Sequence, residues 1–96
     1  MDPRKVVSPK GKVSNLQVIY VDKEGGYSIA TLDWENVKRV AIRWNGANEN
    51  SKGYPHSFGR PTWFIMPKQI ALAFAMHTNN LEMVQSIKAC DDSAFC

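Results

Sequence analysis

The sequence has no run of eighteen apolar residues, and no apolar segment follows its early basic residues, so neither a membrane span nor a secretion signal is indicated. A cytoplasmic protein with no membrane partner is the resulting expectation. Cysteine is scarce: Cys90 and Cys96 are the only two, both in the closing CDDSAFC. A zinc site ordinarily draws on two close ligand pairs, and one pair at this spacing does not supply them. No metal site is assigned, no cofactor is expected, and in a reducing compartment both thiols stay reduced. Histidine is equally rare, with His56 and His77 alone. Ser57 beside His56 has no nucleophile-elbow context, and no serine-histidine-acid order is recognisable. Gly25-Gly26 lacks the following Lys-Ser/Thr and the strand-to-helix setting of a P-loop, and reads as a turn.

What is present suits a small globular domain. At 96 residues and 44% hydrophobic, the chain can bury one core but not two separate domains' worth. The formal charge of +3 is unevenly placed: Arg4, Lys5, Lys10 and Lys12 against Asp2 account for it, and the remainder is neutral. Within that remainder Lys38, Arg39, Arg43, Lys52, Arg60 and Lys68 face only Glu49, so the middle third is locally basic.

Residues 1–12, with Pro3, Pro9 and Gly11 and no periodicity, read as a flexible basic arm before a single domain over 13–96. LQVIYV is rich in β-branched and aromatic residues and predicts a strand, with DKEGG as the turn after it. YSIATLDW alternates, with Tyr27, Ile29 and Thr31 on one face and Ala30, Leu32 and Trp34 on the other. ENVK turns the chain into KRVAIRWN, where Val40, Ile42 and Trp44 oppose Arg39, Ala41, Arg43 and Asn45. PTWFIM predicts the fourth strand. Pro67 then opens a helix whose stripe is expected at Ile70, Ala73, Phe74 and His77. After a break or N-cap in TNN, a second segment is expected to place Leu81, Val84, Ile87 and Lys88 together. Strands first and helices last make an α+β fold, an antiparallel four-stranded meander with a C-terminal helix or helix pair on one face. The other face is expected to be solvated or covered by a second copy or a partner.

Residues 45–60 make a connection far longer than a hairpin needs, and loops of this length are most often functional or mobile. Gly46, Gly53, Pro55, Gly59 and Pro61 argue for order, with Tyr54 and Phe58 as anchors. A binding pocket is therefore expected from Arg43, Asn45, Tyr54, His56 and Arg60, with the two arginines gripping a carboxylate or phosphate. The plainer role for Arg43 is stacking on a ring, or pairing with Asp33 or Glu35 across the sheet. His56 has the accessibility and intrinsic pKa for acid/base work but only Glu49 as an acid within the loop. His77, on the expected helical stripe, reads as a core or boundary residue.

The strings SIATLDW, AIRWNG and GYPHSFGRPTWFIMP resemble a small family of bacterial proteins with a similar spacing of an RWNG segment and a GxPxWFxxP segment. The likeness runs from about Val18 to about Leu72. It implies a shared fold and a bacterial origin, of the kind found in short orphan products of mobile elements, and carries over no catalytic residue. Three readings of function stand beside it. The first is a binding or interaction module, self-associating as a homodimer, which takes a protein partner or a small anionic ligand at the long loop. The second is a nucleic-acid-binding protein using the basic arm with Trp34, Trp44 and Trp63. The third is a small enzyme with His56 as acid/base.

Overall fold

β-Branched and aromatic residues dominate the first half of the chain, and their preference for a pleated, half-buried surface is realised there as three long strands. The computed structural model describes residues 1–22, 24, 26–46, 50–57 and 59–90. The strands are β1 (Val13–Asp22), β2 (Tyr27–Trp34) and β3 (Val37–Trp44). Two short strands follow, β4 (His56–Ser57) and β5 (Arg60–Pro61), then β6 (Phe64–Ile65) and the helices α1 (Lys68–His77) and α2 (Leu81–Lys88). The main sheet has the order β1-β2-β3-β6, every neighbour antiparallel, while β4 and β5 pair as a separate hairpin. This is the expected α+β meander.

Local chemistry accounts for the joints. Glu35 and Asn36 connect β2 to β3 with φ of 52° and 70°, two consecutive left-handed residues whose twist matches a tight hairpin. Asn79 turns the chain after α1 with φ 56°, and Asn80 caps α2 by accepting from the Met83 N–H at 3.0 Å. At the far end of α2, Lys68 Nζ donates to the carbonyls of Lys88 (3.0 Å) and Cys90 (2.9 Å), meeting orphan acceptors of the last turn. The register of β1 slips twice against β2, between Ser14 and Gln17 and between Val18 and Tyr20. The second slip lets both Ile19 and Tyr20 pack toward the helices.

The sheet is buried on both faces. On the helix side Ile29 and Val40 meet Ala71, Ala75, Met83, Ile87 and Cys90. The stripe of α1 is thus Ala71 and Ala75 with Leu72 and Phe74, not the expected Ile70, Ala73 and His77, which are exposed. Apolar residues run almost all round α1, so periodicity could not choose a face; the alanines won because small side chains let the helix approach the strands closely. In α2, Met83 and Ile87 face inward and Leu81 is exposed.

On the opposite side Ala30, Leu32 and Ala41 pack with Val6, Val13 and Trp63. Residues 1–12 are therefore not the free arm expected. Pro3–Lys5 forms one 3-10 turn capped by Asp2, Val6 is 1% exposed, and Trp63 Nε1 donates to the Val6 carbonyl at 2.7 Å. The chain itself covers the face that had been expected to meet solvent or another chain. The fourth strand is also shorter than expected, because Arg60 and Pro61 pair with β4, and Thr62 N–H turns back to the Pro55 carbonyl.

Candidate recognition surface

The chain leaves the sheet after Trp44 and returns at Tyr54, where the two residues exchange both backbone hydrogen bonds, at 2.7 and 2.8 Å. The long insertion is thus closed at its base rather than hanging between strands. Gly53 makes the closure feasible. Its φ is 66°, and a Cβ there would collide with the Trp44 carbonyl oxygen and lie 2.6 Å from Arg43 Nη2.

Arg43 sits beneath this closure and is fully buried. Its guanidinium donates to the carbonyls of Thr62 (2.6 Å), Trp44 (3.1 Å) and Lys52, and to Asn45 Oδ1 (3.3 Å). Asn45 in turn donates to Ser28 Oγ at 2.6 Å, across the sheet. No carboxylate is among these partners: Asp33 accepts from Asn15 and Glu35 pairs with Lys12. Burial lowers the Arg43 pKa from its ordinary value, and the fan of carbonyls meets its donors in place of water. Neither sequence-level role holds for it. Its donors face the protein rather than a ligand, and its neighbours are main-chain oxygens rather than an acid of the sheet.

The five residues expected to form one pocket are divided between different surroundings. Asn45 lines a cleft of about 760 Å³ between residues 1–5 and the β1–β2 turn. Tyr54 and His56 border a shallow depression of about 500 Å³ with Gly46, Ser51 and Lys52, and neither Arg43 nor Arg60 lies on its wall. Arg60 is exposed on the β4–β5 hairpin. His56 is exposed with its ring 5.2 Å from that of Tyr54, and no carboxylate meets it among the described residues. His77 is exposed at the end of α1. Cys90 is a buried thiol whose pKa burial pushes up. Gly25, Glu49, Phe58, Asp91, Asp92 and Cys96 lie outside the described residues.

What the structure does assemble is a corner of exposed rings. Trp44 shares the helix-side face with Ile42; Tyr54 stands opposite Trp44 and Phe64 opposite Ile42, so all three rings emerge on that face. They are 50%, 64% and 56% exposed respectively. Tyr27, opposite Trp44 on β2, supports it edge-on at 5.4 Å and 75°. Tyr27 itself has its pKa pushed up to about 12, by burial first and then by its hydrogen bond with Asp22. Basic groups flank the corner: Lys52 is exposed, its Nζ 3.3 Å from where a Cβ on Gly59 would lie, and Arg60 is next in the chain.

Sequence reasoning named Tyr54 and Trp44 but not Phe64, and it did not foresee the corner. A usable signal was present in the lengths. Helices of ten and eight residues span ~15 and ~12 Å, whereas strands of eight to ten residues run roughly 26–33 Å, so the helices cannot cover the whole face. Comparison with known proteins gives no match to any family model, curated protein or solved structure.

Proposed function

We propose that the protein is a small binding module whose recognition surface is the corner formed by Trp44, Tyr54 and Phe64. The observation that carries this reading is their shared exposure on one sheet face, held by backbone pairing to β3. Aromatic side chains of this kind supply large contact area at low entropic cost, and Trp and Tyr dominate binding hot spots. The rigid base beneath them supports the same reading, since Arg43 ties three loop carbonyls together and removes much of the ordering cost of binding. Catalysis by His56 has less support, for no acid orients its ring among the described residues. Self-association had an uncovered sheet face as its ground, and the chain's own residues 1–6 and Trp63 fill that face.

The test is chemical cross-linking in the native host, comparing the wild-type chain with Trp44→Ala/Tyr54→Ser/Phe64→Ser. Adducts on the wild type that disappear from the triple variant are expected, with circular dichroism and melting showing that the variant is folded. Equal adducts on both would overturn the assignment.

A further inference from the structure

Resting on that recognition surface, we infer that its partner is single-stranded nucleic acid. Three features converge. The first is the spacing of the rings. Tyr54 and Phe64 oppose β3 residues two positions apart, Trp44 and Ile42. Two residues of strand measure ~7 Å, twice the roughly 3.4 Å per nucleotide of a duplex strand. Bases resting on these rings are spread apart, as in an unstacked strand, and a paired duplex does not offer its base faces in this way.

The second feature is charge. Lys52 and Arg60 are both exposed beside the rings, and neither has an ion-pair partner among the described residues. They are placed to meet backbone phosphates while the rings hold bases, the division of labour that single-strand binding uses. The third is the His56 ring 5.2 Å from Tyr54, which extends the stacking surface toward the hairpin that carries Arg60. An apolar protein segment would use the rings but would leave this basic margin without a role. A strand of bases and phosphates uses both.

The experiment is a fluorescence-anisotropy titration of the full chain with labelled oligothymidylate and oligouridylate of about 12 nucleotides, and with a duplex of equal length. Either single strand is expected to bind more tightly than the duplex; the two together show whether the sugar matters. Trp44→Ala and Tyr54→Ala should each weaken binding roughly 5- to 150-fold. Lys52→Ala/Arg60→Ala should flatten the slope of log affinity against log salt by about 1.4, two phosphates' worth. Tyr54→Ser serves as the second aromatic variant, its exposed position making loss of fold an unsuitable explanation for lost binding. Absence of single-strand binding, equal affinity for duplex, or full affinity in the aromatic variants would overturn the inference. Cross-linking in the host separates the two levels. A protein adduct lost from the triple variant overturns nucleic acid as partner and leaves the recognition surface standing, whereas equal adducts on both chains overturn both.

Discussion

Arg43 decides more of this molecule than any other residue. A cation taken out of water needs its lost hydration replaced, and here main-chain carbonyls and one amide replace it in the absence of a carboxylate. Replacing it with methionine removes the charge and strands those acceptors in a buried site, which should cost about 3 kcal/mol or more by urea denaturation. A change below about 1 kcal/mol would show that the carbonyls find other donors. Gly53 and Gly59 offer a paired comparison, since both have positive φ but only Gly53 faces main chain at its Cβ position. Gly53→Ala should be destabilising by more than the ~1–2 kcal/mol that a left-handed alanine costs, and Gly59→Ala by about that amount, because only the flexible tip of Lys52 must move. Equal losses would argue against the close approach. Tyr27 carries a pH dependence. Its folded pKa of about 12 lies above the ordinary 10.0, so between those values the native state holds a proton that the unfolded chain has released. Stability should therefore fall as pH rises from 10 toward 12, and Tyr27→Phe should remove that part of the decline.

At the scale of elements, the N-terminal segment is the main surprise. Val6 is buried and its carbonyl is held by the Trp63 indole, so Val6→Ala should cost ~2 kcal/mol in a thermal or urea melt. A surface-like change of under about 0.5 kcal/mol would instead describe a loosely held arm. Proline, glycine and lysine in MDPRKVVSPKGK gave no periodic signal, and burial of a single valine by a tryptophan 57 positions away is invisible to any local pattern. Other elements were legible for physical reasons. YSIATLDW matches β2 residue for residue because alternation and β-branched content point the same way. The same stretch also held a clue that went unused: Ser28, Ala30 and Leu32 are small or apolar on the face opposite Ile29, the mark of a strand buried on both sides. The site was legible in part. Loop length and punctuation located it, but the direction of Arg43 depended on carbonyls from three separate positions that only the fold brings together.

For the whole molecule, the two faces of the sheet have different fates. One is closed by the chain's own beginning and by Trp63, and the other is covered by two helices too short to reach the corner at Trp44, Tyr54 and Phe64. Most of the middle third's basic residues have local work or stay near this corner: Arg43 is internal, Lys68 caps α2, and Lys52 and Arg60 flank the rings. The most direct measurement places a photo-cross-linking phenylalanine analogue at Phe64 and, in a separate chain, at Val7, which is 45% exposed beside the buried Val6 of the opposite face. After irradiation in the native host, a specific adduct is expected from position 64 and little or none from position 7. Adducts from position 7 alone, or equal yields from both, would contradict recognition at the aromatic corner.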